Sequence, residues 1–290
     1  MKVLYVMSIA VGLVGCGSKY NADALRSTKR VAIISLFANE QVPEKKGRGV
    51  VKGWDEDFKI KVAQDAADAF STELAQLGWT VVTPSQVIQS EAYQSAFAPK
   101  EKAGESKLEK IGNSIGKFLL KERQKNYFTP TGMYPIELAD EEATTYRFGD
   151  SAKSDPKQLL ARFAKELDVD AVILVKLDYC YEGGTFTSLA GLGEAYLKAA
   201  SSLKVVNRKG DVIVNMPNVE TCADHPTRAS SKGSVFMNGG DIVFGLGVGA
   251  PGSQETLVKF VTPEKLQRLF SEATRASAEM AVGDLKKAMK

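Results

Sequence analysis

Residues 30–38 read Arg-Val-Ala-Ile-Ile-Ser-Leu-Phe-Ala. A strand with one wet face alternates apolar and polar residues; this run does not, so it needs cover on both faces. That requirement calls for helices on either side of a sheet, and the chain supplies them. Over 56–77, Phe58, Val62, Ala66, Ala69, Phe70, Leu74 and Leu77 step at three and four, the spacing of an amphipathic helix, and Gly78 stands at the C-cap position. Residues 79–83 read as a strand that Pro84 ends. A second amphipathic helix is expected over 106–123, through Leu108, Ile111, Ile115, Phe118 and Leu119. Asp155-Pro156 reads as an N-cap and first-turn proline, opening a helix through Leu159, Leu160, Phe163 and Leu167. Residues 171–181 form the next strand. The runs 195–206 and 211–215 flank Asn207-Arg208-Lys209-Gly210, which reads as a hairpin turn. Thr262-Pro263 opens a last helix with Leu266, Leu269, Phe270, Ala273, Ser277 and Met280 along one face. The order β-α-β-α-α-β-β-β-α predicts one α/β domain over 29–290. A mixed β-sheet is flanked by helices, with insertions at about 91–154 and 216–260.

The first 16 residues lie outside this pattern. Lys2 precedes an apolar run over 3–14, interrupted only by Ser8 and Gly12. The run is too short to cross a ~30 Å hydrocarbon core, and it has the length of a signal-peptide apolar region. Leu13-Val14-Gly15-Cys16 follows it and resembles the lipobox of bacterial lipoproteins. The resemblance implies a signal peptide over 1–15, cut by signal peptidase II after recognition of Leu13, Val14 and Gly15. It also implies a diacylglyceryl group on Cys16 and a lipidated tether over 16–28. Gly17, where an aspartate would retain a lipoprotein at the inner membrane, implies sorting to the outer membrane in an organism with two. No other stretch reaches 18 apolar residues, so no spanning helix is expected elsewhere.

The chain has three cysteines. With Cys16 lipidated and the domain exported, Cys180 and Cys222 are a disulfide candidate in an oxidising compartment. Such a bridge closes a loop of about 40 residues, worth roughly 3–4 kcal/mol in the chain-entropy picture. Two buried free thiols, or a metal site on Cys222 and His225, are the alternatives, and the metal reading is short of ligands.

His225 is the sole histidine, which removes most metal sites and most imidazole catalysis. It sits before Pro226 in a polar stretch, where a solvated loop residue is expected. The S-x-x-K pattern of serine acyl-enzymes occurs at Ser114–Lys117, Ser154–Lys157 and Ser201–Lys204, without its partner motifs S-D-N and K-T-G. Asp55, Glu56 and Asp57 suit a helix start better than a carboxylate pair. Gly239-Gly240 and the Gly245, Gly247, Gly249 run lack a following G-K-[ST], so no phosphate loop is read. No cofactor is expected. A net charge of +3 over 290 residues argues against a nucleic-acid surface.

Two runs carry a wider resemblance: Leu74-Ala75-Gln76-Leu77-Gly78-Trp79-Thr80-Val81-Val82-Thr83-Pro84-Ser85-Gln86-Val87, and Ala164-Lys165-Glu166-Leu167-Asp168-Val169-Asp170 continuing into Ala171-Val172-Ile173-Leu174-Val175. With the lipobox, the first strand, the hairpin and the last helix, they resemble the CsgG-like and TolB N-terminal-like lipoproteins, a group that includes LpoB-type activators. Asp168-Val169 departs from the usual Leu-Gly of that segment, and the glycine-rich stretch 232–253 has no counterpart. The resemblance implies an α/β sandwich used for assembly, transport or partner activation rather than chemistry. The expected role is a non-catalytic accessory or assembly factor, lipid-anchored on the periplasmic face of the outer membrane. Its expected partners are the membrane, another envelope protein and a second copy of the chain. A subunit of an oligomeric secretion channel is the alternative, with 184–200 and 232–253 as membrane hairpins, although their apolar alternation is broken. An envelope-polymer hydrolase is the second alternative.

Overall fold

The computed structural model describes residues 19–43, 50–97, 126–138, 145–148, 151–154, 156–183, 195–217, 234–237 and 263–290. The strands are β1 Lys19–Tyr20, β2 Arg30–Asn39, β3 Val42–Pro43, β4 Val50–Val51, β5 Thr80–Val82, β6 Tyr127–Phe128 and β7 Ile136–Leu138. They continue with β8 Thr145–Phe148, β9 Ser151–Ser154, β10 Ala171–Gly183, β11 Ala195–Asn207, β12 Val212–Met216 and β13 Ser234–Met237. The helices are α1 Ala22–Ser27, α2 Glu56–Ala75, α3 Pro84–Gln89, α4 Glu91–Phe97, α5 Pro156–Glu166 and α6 Pro263–Ala288.

Eight strands form one mixed sheet in the order β1-β12-β11-β10-β2-β5, with β13 also alongside β11 and β6 also alongside β2. β2 runs parallel to β10 and β5 and antiparallel to β6, and β10 and β11 make a long antiparallel ribbon. All eight inner residues of β2 are buried, as its unbroken apolar run requires. Helices cover both faces, so the chain is the α/β sandwich that the element order predicts.

Side-chain alternation along β11 identifies the layers. Ser201 reaches Ser277 of α6. Lys204, three positions on and therefore on the other face, donates to the Leu138 carbonyl of β7 at 2.9 Å. α2 and α6 thus pack together on one side, joined through Trp54, Phe58, Phe128, Tyr179 and Phe270, whose rings lie 4.8–5.8 Å apart. α3, α4, α5 and the small β7–β9 sheet occupy the other side.

Local signals account for most helix ends. Asp55 caps α2 by accepting from the amides of Asp57 and Phe58, and Gly78 just past the helix takes φ +80°. Pro84 ends β5 and also opens α3, where Thr83 and Gln86 make a reciprocal capping box.

Two findings differ from the sequence reading. Residues 19–28, expected within the tether, belong to the domain. β1 pairs with the edge of β12, the Asn21 amide donates to the Ile213 carbonyl at 2.8 Å, and Leu25 of α1 is fully buried. An open strand edge and one large apolar side chain hold the segment in place. The stretch 91–154, expected as an insertion, also supplies part of the core. Tyr93, Phe128, Met133 and Ile136 are core residues, and Ser35, the one polar residue inside β2, fastens the segment. Its Oγ donates to the Tyr134 carbonyl and accepts from the Ile136 amide at 2.8 Å. The helix expected over 106–123 lies outside the described residues.

Candidate functional site

Leu13, Val14, Gly15 and Cys16 lie outside the described residues, as do Cys222, His225 and the run 239–249. Cys180 sits on β10, fully buried beside Ala200 and free among the described residues, with Lys198 its register partner on β11. Its expected partner Cys222 is not described, so the pairing stands as an expectation.

Among the S-x-x-K matches, Ser201 and Lys204 project to opposite faces of β11, so they form no nucleophile–base pair. Ser154 and Lys157 fall on different elements, β9 and α5. Ser114 and Lys117 are outside the described residues. The acidic run serves the helix start: Asp55 is the cap, and Glu56 pairs with the buried ammonium of Lys59 at 2.6 Å. Glu40 approaches the same ammonium at 3.4 Å, while its carbonyl accepts from the Trp54 indole. This pair of carboxylates around one lysine locks α2 against the end of β2.

Two open grooves stand out among the described residues. The first, about 790 Å³, runs between α2 and α6 and includes Lys61, Asp65, Asp68, Glu73, Arg268 and Arg275. Asp65 accepts from Gln267 at 3.0 Å and from Ser271. Burial, helped by the charge of Glu279, raises the Glu73 carboxyl above its ordinary value. Beneath, burial pushes the Tyr179 phenol far up, against the bond it makes with Thr274. Groups of both signs line this groove, which suits polar contacts with a folded partner.

The second groove, about 670 Å³, lies between α5 and the β11–β12 turn. Both elements are legible in the sequence, but their meeting is not. The signal was the turn's own Arg208-Lys209 pair, next to a glycine that brings it onto the helix. Among the described residues no group of three or more His, Cys, Asp or Glu side chains is placed to hold a metal ion, and no helix is long and apolar enough to cross a membrane. No protein-family model, no curated protein and no solved structure matches the chain.

Proposed function

We propose that this chain is a lipoprotein anchored through Cys16 on the periplasmic face of the outer membrane, where it acts as a non-catalytic accessory or assembly factor for another envelope protein. The observation that carries the reading is the charged-then-apolar N-terminus ending in Leu13-Val14-Gly15-Cys16. The order of elements supports the CsgG-like and TolB N-terminal-like resemblance, and the two open grooves offer contact surface for a partner. The test is fatty-acid labelling of the full chain in cells, with Cys16→Ala beside it. Label is expected on the parent chain only, with the variant accumulating uncut. Label and normal processing of the variant overturn the anchor. Crosslinking in cells then tests the partner, and a chain that captures no envelope protein overturns that half.

One observation favours the channel reading as second. β10 ends at Gly183, β11 starts at Ala195, and β13 pairs antiparallel with that start, Met237 opposite Ala195. The described parts of the two expected hairpin segments, 195–200 and 234–237, are paired in the sheet, and β10 and β13 both end at the same end of the ribbon, where two neighbouring hairpins would have to begin. A detergent-resistant oligomer of high mass on a native gel promotes this reading over the first.

A further inference from the structure

We propose that the groove between α5 and the β11–β12 turn binds an acidic peptide segment of the partner protein. The proposal rests on the partner-binding reading above and names the chemistry by which that partner is held.

The groove concentrates charge. Lys157, Arg162 and Lys165 line it from α5, Arg208 and Lys209 from the turn, and Glu166 is the one acid. That balance of +4 exceeds the +3 of the whole chain, so everything outside the groove is net −1. A positive recess on an otherwise slightly negative protein steers and holds an anion.

The cations are held by backbone. Asn207 Oδ1 accepts from the amides of Lys209 and Asp211 at 2.9 and 3.0 Å, fixing the turn. Gly210, at φ +84°, lies so close to α5 that a Cβ there would stand 2.8 Å from the Lys157 carbonyl oxygen. The two walls thus keep a set separation. Arg162 pairs with Glu166, and Arg208 is tied to Asp168 and the Val169 carbonyl. Lys157, Lys165 and Lys209 are exposed and make no ion pair among the described residues. Three uncompensated ammonium groups around one recess are the recognition element.

The occupant follows from form and lining. Between the cations lie Ala161 and the aliphatic stems of the lysines, a floor that suits the methylene groups of glutamate and aspartate side chains. This lining favours a peptide, whose side-chain methylenes it can contact, over lipid headgroups, which offer it charge alone.

The test uses the full chain in a non-ionic detergent and a fluorescein-labelled decaglutamate peptide read by anisotropy. Saturable binding that weakens as salt rises is expected. The triple variant Lys157→Glu, Lys165→Glu, Lys209→Glu should bind about tenfold more weakly or worse, because each reversal replaces an attraction with a repulsion. Lys286→Glu, exposed near the end of α6, should bind as the parent does. All three groove lysines are exposed, so an unchanged thermal melt confirms that the variant folds. Absence of saturable binding, or an equal loss in Lys286→Glu, overturns the proposal. Vesicles of anionic phosphatidylglycerol binding through these lysines while the peptide does not would assign the groove to lipid instead. In-cell crosslinking separates the two layers: a captured envelope protein whose yield the triple variant leaves unchanged refutes the groove and leaves the partner reading standing.

Discussion

Gly210→Ala offers a controlled measure of how tightly the turn is pressed onto α5. Both Gly210 and Gly78 hold left-handed backbone, at φ +84° and +80°, but a Cβ at Gly78 meets nothing within 4 Å. Alanine in that conformation costs roughly 1–2 kcal/mol, offset by about 0.4–1 kcal/mol from a less flexible unfolded chain. Gly78→Ala should therefore lose about 0.5–1.5 kcal/mol. At Gly210 the added methyl also lies 2.8, 2.9 and 3.0 Å from the carbonyl oxygen, Cβ and Cα of Lys157. Two of those atoms are backbone in the first turn of α5 and cannot rotate aside, so a further ~1–3 kcal/mol of overpacking is expected. The sum, about 1.5–4.5 kcal/mol, corresponds to a Tm fall of roughly 3–18 °C for a domain of this size. Urea melts of both variants, fitted with a common slope, isolate the contact as their difference. Equal losses would refute the close approach, and with it the fixed spacing of the groove walls.

Three other perturbations probe the remaining architecture. Asp170 accepts from the amides of Lys29 and Arg30 at 2.8 and 2.9 Å; burial opposes its charge, but these amides, with Arg208 and Arg30, outweigh it and hold the carboxyl below its ordinary value. A lowered folded value means stability present above the unfolded value and lost as pH falls through the folded one. Asp170→Asn should thus cost about 1 kcal/mol at neutral pH, modest because the site is partly exposed, and the gap to the parent in denaturant melts should close below the ordinary aspartate value of 3.8. Leu25→Ala should cost about 2–5 kcal/mol from a fully buried position, and a loss under ~1 kcal/mol by urea midpoint would show that α1 is not part of the core. Thiol counting on denatured, envelope-purified chain should find none free if Cys180 and Cys222 are bridged; two free thiols would leave Cys180 a buried cysteine.

What the sequence disclosed tracks how local each cause is. β2 was legible because eight consecutive residues avoid water, and α2 because a cap, a periodic face and a glycine all lie within its own span. Asp168 illustrates a partial signal. It takes φ +49°, a conformation that glycine holds at least cost and aspartate tolerates, so the helix still ends there. The capping box at Thr83 and Gln86 is just as local, but Pro84 reads only as the end of a strand, and α3 was not expected. α1 was hidden because, beyond its Asn21 cap, what holds it lies far off in sequence: Leu25 enters the core, Arg26 donates to the Met289 carbonyl, and β1 pairs with a strand edge about 190 residues away. The second groove was hidden for the same reason. Lys157 and Lys209 lie in separate elements, and only the missing side chain of Gly210 brings them together.

The pairing of β1 with β12 also sets the length of the leash. Only Gly17 and Ser18 separate Cys16 from Lys19, the first described residue, which the sheet holds opposite Asn215. Three residue steps span at most about 11 Å when fully extended. A chain lipidated at Cys16 would ride against the bilayer with the β1 edge beside the headgroups, unable to sweep outward as a protein on a long flexible stalk does. Encounters would then happen in a thin layer at the membrane, and any partner rooted elsewhere in the envelope would have to bring its own binding segment across to meet it.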